Sequence, residues 1–550
     1  MKRIVYSIIL ITAFVFCGLS PTPSCAVESG RVPLFENLGN YHHPITTNSP
    51  VAQRYFDQGL TLMYSFNFGA AARSFREAAR VDPNCAMAYW GAAIVLGPNV
   101  NAPMAEETVH QAYSALQKAL QSTGQATERE KAYIQALSKR FSSEPVKDHS
   151  SLDMAYAMAM REVAQRFSED PDAGTLYAEA LMILNPWNYW TKDGQPRPWT
   201  PEILTALESV LKRHPNHPGA NHYYIHAVEA SPNPERGLPS ASRLPSLVPG
   251  VGHIVHMPSH IYIRVGRYHD AIVANERAIK GDEAYIEKYR PQGDYKLAYY
   301  PHNYHFLGAA AMFEGQSRVA IQAARDLASR VDHKVMRKPG YGTLQHFYSM
   351  PLYTLTKFGK WDEILREPAP AKDLLYPIGV WHFARGMAYM RTGQLEKAER
   401  ELEKLREIAA DPTLIQVTIW NINTTMSLLQ IATEVLSGEY AATQGDYDKA
   451  VSHLEKALQL EEELTYDEPD PWPSPVRQSL GAILIEARRP EEAEKVYLKD
   501  LKKYPENGWS IFGLYQALRA QDKMEHAETV KSRFQKAWAR ADVTLTSSRF

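Results

Sequence analysis

Apolar helical stretches alternate with short polar turns along most of the chain, and a small residue follows many turns at a constant distance. Four turns begin with Gly and carry Ala five residues later: Gly266, Gly315, Gly393 and Gly445. Weaker copies begin at Phe66, Gly359 and Arg488. Gly tolerates the positive φ that ends a helix, and a small residue lets the next helix pack closely. The pattern therefore predicts repeated helix–turn–helix units.

The spacing of the units narrows the fold class. Equivalent positions after the turns at 320, 364 and 398 are 44 and 34 residues apart, and those at 450, 493 and 527 are 43 and 34 residues apart; Ile364 takes the place of the small residue in its unit. Periods in this range are typical of helical repeat solenoids, in which each unit contacts only its neighbours. The sequence therefore predicts an all-α solenoid of about eight to eleven helical pairs with insertions.

Composition excludes several other classes of protein. A chain of 550 residues is too long for a single compact core, and 45% apolar residues with 22% charged residues describe an ordered protein. The 60 Lys and Arg residues balance 62 Asp and Glu residues, for a formal charge of −2. Since no basic run interrupts this balance, we expect no nucleic-acid partner.

The N-terminus predicts an exported protein. Lys2 and Arg3 precede an apolar run over residues 4–19, and small residues lead up to Ala26. This is the pattern of a secretory signal peptide over residues 1–26, and a retained membrane anchor is the alternative. After cleavage the chain keeps Cys85 as its one cysteine, which excludes an internal disulfide framework and a Cys-based metal cluster. We expect a periplasmic or secreted protein without a stable transmembrane anchor.

The repeats resemble the tetratricopeptide repeat family, whose 34-residue unit carries this Gly, Tyr and Ala pattern. The match includes the Pro that ends a unit, at Pro83 and Pro505, and it covers most of the chain from Ala52 to about Ala539. The chain further resembles a group of exported bacterial repeat proteins with a His-rich central region. The resemblance implies a helix–turn–helix superhelical solenoid with a concave groove.

These observations divide the chain into six predicted segments. A signal peptide over 1–26 and an irregular lead-in over 27–51 precede N-terminal helical repeats over 52–210. Residues 211–366 form His-rich central repeats, and residues 367–540 form C-terminal tetratricopeptide repeats followed by a tail over 541–550.

The histidines of the central repeats share one helical register. Ten of the 19 His lie between His214 and His305. Counted back from the turns at Pro232, Gly266, Gly315 and Gly359, the residues at offsets −3, −6, −10 and −13 fall within an arc of about 80° on one helix face. Nine residues occupy these positions: His222, His226, Glu229, His253, His256, His260, His302, His305 and His346. In tetratricopeptide proteins this face lines the concave groove, so the resemblance implies that the His rows stack inside it.

Stacked imidazoles of this kind favour a transition-metal site. Each buried ring brings two polar nitrogens that need partners, and His at i and i+4 on one face is a chelating arrangement. The cluster is large enough for about two or three ions of zinc, iron or copper. Glu229 is a candidate metal ligand, a partner that orients a His, or a general base. Pro258 requires the helix between His256 and His260 to kink or to begin there.

Other residues near this region have structural interpretations that we prefer. His214, His217 and His269 fall outside the shared face and are expected at helix caps or at the surface, and His382 occupies a different position in its unit. Glu179 is a further candidate for the groove. An insertion rich in Trp, over residues 187–199, predicts either a hydrophobic cap or the lid of a substrate pocket, and residues 467–475 predict an inter-helix loop.

Three functions stay open at this point. The first is an exported metalloprotein with a His and Glu site in its groove, acting as a hydrolase or an oxidoreductase on a small-molecule substrate. The second is a non-enzymatic adaptor that binds a peptide or an envelope protein, and the third is a metal storage or sensing protein. The P-loop, G-x-S-x-G and H-E-x-x-H motifs are absent from the sequence, so nucleotide, acyl-transfer and zincin chemistry have no sequence support.

Overall fold

The computed structural model describes residues 32–290 and 295–550. The predicted signal peptide and the start of the lead-in lie outside the described residues. Over the described ranges the chain is an array of α-helices with one two-stranded hairpin, which confirms the predicted all-α solenoid.

The first twelve helices extend to the middle of the His-rich region. They are α1 (Pro50–Met63), α2 (Phe68–Val81), α3 (Ala86–Ile94), α4 (Val109–Gln121), α5 (Glu128–Leu137), α6 (Ser150–Arg166), α7 (Pro171–Leu184), α8 (Thr200–Arg213), α9 (Pro218–Glu229), α10 (Leu238–Leu247), α11 (Gly252–His256) and α12 (Pro258–Arg264).

The remaining helices complete the array. They are α13 (Tyr268–Tyr289), α14 (Tyr300–Glu314), α15 (Ser317–Ser329), α16 (Gly342–Lys357), α17 (Trp361–Arg366), α18 (Leu375–Arg391), α19 (Leu395–Ala409), α20 (Thr425–Thr443), α21 (Tyr447–Glu463), α22 (Val476–Glu486), α23 (Pro490–Lys503), α24 (Gly508–Ala520) and α25 (Met524–Ala537). Strands β1 (Thr418–Ile419) and β2 (Asn423–Thr424) pair antiparallel between α19 and α20.

The repeat turns adopt the left-handed backbone that the sequence pattern predicts. Gly266 has φ 76°, and Gly315, Gly359, Gly393 and Gly445 have φ between 61° and 78°. The weaker copies place a larger residue in the same conformation, with φ 56° at Phe66 and 60° at Arg488. Side chains with a Cβ pay a steric cost there, so packing around these residues must offset it.

The small residues after the turns lie where the two helices of a pair pack closely, as the pattern predicts. Ala271, Ala320, Ala398 and Ala450 each lie near the start of the second helix of a pair and are fully buried. The two helices of a pair approach closely at these positions, and buried apolar faces then stack one pair on the next. The buried apolar residues form two large clusters, one over residues 55–261 and the other over residues 263–545, which meet at α12.

The lead-in, from Val32 to Ser49, contains no helix or strand and lies across the first helices. The Tyr41 hydroxyl donates to the Asp172 carboxylate of α7 at 2.7 Å, and the backbone N–H of Thr46 donates to Glu130 of α5 at 2.6 Å. The lead-in therefore ties α5 and α7 together. The predicted segment boundaries at 210 and 366 stay predictions. In the described part of the chain, no helix is long and apolar enough to span a bilayer.

Candidate metal centre

Four helices bring the predicted ligands together. Helix α9 carries His222, His226 and Glu229 on one face, as the i, i+4, i+7 spacing predicts. Helix α11 carries His253 and His256. Helix α11 ends at His256, and after Met257 a new helix, α12, begins at Pro258. His260 therefore lies on a separate short helix. Helix α14 supplies His302. Of the two outcomes expected for Pro258, the structure therefore has a new helix.

Three imidazoles form a first group, here called centre A: His222, His226 and His253. One nitrogen from each ring lies within 4.8 Å of the others. The Nε2 atom of His222 is 3.2 Å from Nε2 of His226 and 3.2 Å from Nε2 of His253. The three side chains are at most 3% exposed.

A second group, here called centre B, contains His256, His260 and His302. The Nε2 atoms of His256 and His260 are 2.9 Å apart. The His302 ring lies edge-on to His256, with 5.1 Å between the ring centroids. Centres A and B adjoin, because the His226 and His260 rings are 5.2 Å apart and the His253 and His256 rings are 5.7 Å apart.

The hydrogen bonds at Nδ1 fix the protonation of the centre A rings. His222 Nδ1 is 2.6 Å from the backbone carbonyl oxygen of Tyr64, which can only accept, so His222 donates from Nδ1. His226 donates from Nδ1 to Glu229 Oε1 at 3.1 Å. A neutral imidazole carries one N–H, so both rings direct a bare Nε2 lone pair at each other across 3.2 Å.

Centre B has the same arrangement. The Asn275 amide nitrogen donates to the Ala271 carbonyl at 2.8 Å, so its oxygen accepts from His256 Nδ1, also at 2.8 Å. His260 donates from Nδ1 to Glu468 Oε2 at 3.0 Å, and Glu229 Oε2 lies 2.5 Å from the same nitrogen. The Nε2 atoms of both rings are thereby left for an ion or a proton. Metal-ligating His residues commonly donate their second nitrogen to a carbonyl or carboxylate in this way.

Burial keeps most of these rings neutral. Loss of hydration lowers the pKa of four rings well below the usual value, and neighbouring imidazoles lower it further: His222, His253, His256 and His302. Burial also lowers the pKa of His226, against the opposing effect of Glu229. Neutral imidazole is the form that binds metal.

Glu229 connects the two centres. Its carboxylate contacts Nδ1 of His226 in centre A and Nδ1 of His260 in centre B. Burial raises the pKa of Glu229, but the two imidazoles outweigh burial and hold it below the usual value. Burial lowers the pKa of His260, and Glu229 and Glu468 outweigh that effect and raise it to about 9. Glu229 therefore contacts the Nδ1 atoms of His226 and His260, on the side of each ring opposite Nε2. In this position it orients one ring of each centre.

The His rows of the shared face are buried. All eight His of that face are 9% exposed or less. Trp187 covers His226 edge-on at 5.0 Å, Trp420 covers His302 at 5.7 Å, and Phe66 stacks on His226 at 5.8 Å. Aromatic side chains from segments between the repeat helices therefore help to bury the His rows. The Trp-rich insertion thus packs as a cap on α9, where Trp190 donates to the Ala227 carbonyl at 2.8 Å.

Two residues of the predicted set lie outside both centres. The His305 and His346 rings contact each other at 5.5 Å, and His346 Nδ1 is hydrogen-bonded to the Tyr376 hydroxyl at 2.8 Å. Although His305 lies on the same helix as His302, its ring packs against Phe347 of α16 and not against centre B. Glu179 is buried in α7 and joins neither centre.

The remaining His have the structural roles predicted for them, with one addition. His217 caps the N-terminus of α9 by accepting from the Ala220 N–H at 3.0 Å, and it is also buried. His214 follows the last residue of α8. The His269 side chain is 40% exposed, and His382 pairs with Glu401 at 2.5 Å in a later unit.

Three residues at the centres were not predicted. Glu468 lies in the loop between α21 and α22, and its acidic neighbours were the only signal. Asn275 lies on α13, one turn after Ala271, and faces His256. Phe66 occupies a weak repeat turn and contacts every ring of centre A.

A third group of possible ligands, around Asp172, already has hydrogen-bond donors for its central carboxylate and needs no ion to satisfy it. His43, Asp170 and Asp172 lie close enough to share a cation. Four side chains already contribute a hydrogen to the Asp172 carboxylate: Tyr41, Tyr64, His43 and His217. Donors therefore surround this carboxylate, whereas in centre A the Nε2 acceptors of His222 and His226 face each other.

A small cavity reaches the edge of centre B. Its lining includes Arg264, Tyr466, Glu468 and Lys503, and its volume is 20 Å³, enough for about one water molecule. Glu468 Oε1 is buried and has no hydrogen-bond partner among the described residues. Glu468 thus lies between the cavity and His260.

The nitrogen separations fit a bound ion. Two imidazole nitrogens on one tetrahedral zinc, at about 2.05 Å each, lie about 3.3 Å apart, and an angle near 90° brings them to about 2.9 Å. The separations of 3.2 Å in centre A and 2.9 Å in centre B match these values. Each centre can therefore supply three nitrogen ligands to one ion, with a further position open.

Comparison with known proteins places the fold. A family model for the tetratricopeptide repeat matches residues 382–412 and 435–464. The chain is therefore an all-α solenoid that contains tetratricopeptide repeats. No curated protein matches the sequence.

Solved structures of repeat proteins align over most of the chain at low similarity. The APC/C hetero-tetramer Cut9–Hcn1 is 12% identical and covers 91% of this chain and 76% of that chain, with a TM-score of 0.30. The human IFIT1 dimer with m7Gppp-AAAA is 12% identical and covers 90% and 91%, with a TM-score of 0.31. Nothing about a ligand of the present chain follows from either likeness.

Proposed function

We propose that the protein binds two transition-metal ions, one at centre A and one at centre B. The observation that carries this proposal is the contact between His222 and His226. Both rings donate from Nδ1 to acceptor-only oxygens, both are kept neutral by burial, and their Nε2 lone pairs face each other at 3.2 Å. Two facing lone pairs in a buried site are unfavourable unless a cation lies between them.

The surrounding residues support the same proposal. Four of the six rings have an oxygen partner at Nδ1 that orients Nε2 toward its own centre. Such partners raise the basicity of the ligating nitrogen and hold the ring in place. The ligands come from four helices, of which α11 and α12 both pack on α13, and the stacked helices of a solenoid hold them in place.

A bound ion would supply a Lewis acid or a redox centre, and the two reaction classes predicted from the sequence both need an open coordination position. The three-nitrogen set of each centre leaves such a position. The proposal therefore includes the hydrolase, oxidoreductase and storage hypotheses. The adaptor hypothesis ranks below them, because the His rows of the shared face are buried and do not offer a surface to a peptide.

Elemental analysis by plasma mass spectrometry tests this proposal. The protein is purified without a metal-binding tag, and we expect about two ions per chain. In the double variant His222→Gln/His256→Gln, one ligand is lost from each centre and the metal content should collapse. His382→Gln, in which the altered ring pairs with Glu401 far from the centres, is the matched control. A protein that contains no metal and takes none up would overturn the proposal.

We further propose that the chain is exported, on the evidence of the charged and apolar pattern of residues 1–26. Fractionation of cells that express the full chain, with N-terminal sequencing of the mature protein, tests this. We expect a new N-terminus at Val27 in the extracytoplasmic fraction, and an intact Met1 in the cytoplasm would contradict export.

A further inference from the structure

The ligand sets of the two centres consist of imidazole nitrogens alone, a set that both zinc(II) and copper accept. Each consists of three imidazole nitrogens, and the carboxylates of Glu229 and Glu468 contact only the Nδ1 atoms on the outer side. Structural zinc sites take four protein ligands, and catalytic zinc sites take three with a water in the fourth position. Copper(I) has a filled d shell and is stable with three ligands in a plane, so three nitrogens complete its coordination.

The charge of the site also favours monovalent ions. Two divalent ions would bring four positive charges into the interior, against the negative charges of Glu229 and Glu468 and the positive charge of Arg264, which donates to the Glu229 backbone oxygen at 3.0 Å. With Arg264 and the two carboxylates, two monovalent ions leave a net charge of about +1, whereas two divalent ions leave about +3. The cost of transferring an ion from water to a protein interior rises with the square of its charge. The balance therefore favours a pair of monovalent ions.

Aromatic rings lie beside the ligands of both centres. Phe306 lies 4.6 Å from the His256 ring and 4.5 Å from the His260 ring. Phe66 contacts all three rings of centre A, with 4.4 Å to His222. Apolar walls lower the local polarity, so a doubly charged ion costs more to hold there than a singly charged one.

We propose that centres A and B bind copper(I) as an adjacent pair, in preference to zinc(II). This inference rests on the proposed metal-binding function and specifies its metal. The ring contacts of 5.2 Å and 5.7 Å between the centres place the two ions side by side, with Glu229 between their ligands on the outer side.

Competition between the two ions tests the proposal. The metal-free, untagged full chain is equilibrated without oxygen in equimolar copper(I) and zinc(II) until its metal content no longer changes, and bicinchoninate then competes for the copper. We expect about two copper(I) ions per chain and little zinc, and X-ray absorption at the copper edge should show about three nitrogen ligands.

Single variants assign the two ions. His253→Gln removes a ligand from centre A and His302→Gln removes one from centre B, and each should lower the copper content by about one ion. The control variant His382→Gln should keep both ions, and circular dichroism checks that each variant is folded.

Different results separate the two proposals. A protein that retains zinc and excludes copper would overturn the copper assignment while leaving the metal-binding function intact. A single copper ion lost in both variants would overturn the pair. If neither ion binds, the metal-binding function itself is wrong, and the copper assignment fails with it.

Discussion

Asn275 determines which nitrogen of His256 faces centre B, although it lies on a different helix. Its side-chain nitrogen donates to the Ala271 carbonyl, so its side-chain oxygen faces His256. An oxygen can only accept, and it therefore accepts the hydrogen of His256 Nδ1. The Ser259 hydroxyl, which donates to the His256 carbonyl at 2.7 Å, lies 3.1 Å from the same nitrogen and is a second, more distant acceptor. The two acceptors select one of two tautomers, and only that tautomer presents Nε2 to the ion.

Replacement of Asn275 should weaken centre B alone. In Asn275→Ala the acceptor at 2.8 Å is lost and the Ser259 hydroxyl at 3.1 Å remains, and we expect the metal affinity of centre B to fall about 10-fold while centre A is unchanged. Asn275→Asp keeps an oxygen at the same place and should retain most of the affinity. Titration against a chromophoric chelator measures both centres. Equal affinity in the Ala and Asp variants would contradict an orienting role.

Glu179 predicts a pH dependence of stability that is independent of the metal. Burial raises the pKa of its carboxyl from 4.5 to about 7, with Arg140 opposing the shift and Asp153 adding to it. The folded chain therefore holds this proton up to about pH 7, whereas the unfolded chain releases it near 4.5. Stability contributed by the protonated form is present at low pH and is lost as the pH rises through the folded pKa.

The variant Glu179→Gln should remove this dependence. It keeps the shape of the side chain without the ionisable proton, so it should gain about 2–3 kcal/mol in unfolding free energy relative to the native chain between pH 5 and pH 8.5. Urea unfolding at the two pH values measures the difference. A difference that stays constant with pH would show that the carboxyl is already ionised at pH 5.

Helix α9 is the element on which centre A depends, and its N-terminus is fixed from outside the repeat. His217 caps the helix and donates to Asp172, which also accepts from Tyr64 at 2.5 Å. The Tyr64 backbone oxygen in turn orients His222. The lead-in joins the same group through Tyr41. The orientation of α9 and the orientation of its first ligand therefore share one buried network.

Removing the charge at the middle of this network should loosen α9. In Asp172→Asn the carboxylate that accepts from four donors is lost, and we expect about 3–5 kcal/mol of destabilisation. Tyr41→Phe removes one donor and should cost about 1 kcal/mol. Hydrogen exchange should show faster opening of α9 in the first variant only. Similar effects of the two substitutions would mean that Asp172 is not the centre of the network.

The sequence predicts the parts of the site that repeat and misses those that do not. The His positions follow from helical register because α9, α11 and α14 present equivalent faces, and the turn at Gly266 sets that register. Glu468 lies in a loop 208 residues from His260, and no periodicity relates the two. Of the residues that cover the His rows, Trp187 lies in the insertion predicted to be a cap or a lid, whereas Trp420 was not predicted, because it lies in a connecting segment whose path is set by tertiary packing.

On the scale of the whole molecule, the centres lie where the two hydrophobic clusters meet. The ligands on α9 and α11 belong to the N-terminal half, whereas α14, which carries His302, packs in the C-terminal cluster. An ion in centre B therefore bonds one half to the other. Hydrogen bonds already join the halves, from Asn67 to the Tyr285 hydroxyl at 2.9 Å and from Lys192 to the Glu462 carbonyl at 3.1 Å, and an ion in centre B adds coordinate bonds to these contacts.

Metal removal should therefore lower the stability of both halves together. At a free metal concentration of about 100 times Kd, binding adds about 2.7 kcal/mol, and a chelator should lower the melting temperature accordingly. Calorimetry should show one transition with metal and a broader or split transition without it. His302→Gln should show the broader or split transition even with metal present, because its remaining ion in centre A bonds only to the N-terminal half. An unchanged calorimetric profile after chelation would rule out the link.

The depth of the His rows has a kinetic consequence. With the rings at most 9% exposed beneath Trp187, Trp420 and the loop of Glu468, ligand exchange at an ion cannot begin until part of this cover opens. The rate at which a chelator extracts the ion should then saturate with chelator concentration, at the rate of local opening. A cell that assembles such a protein selects its ion during folding, because the ion enclosed then is retained long after the surrounding metal supply has changed.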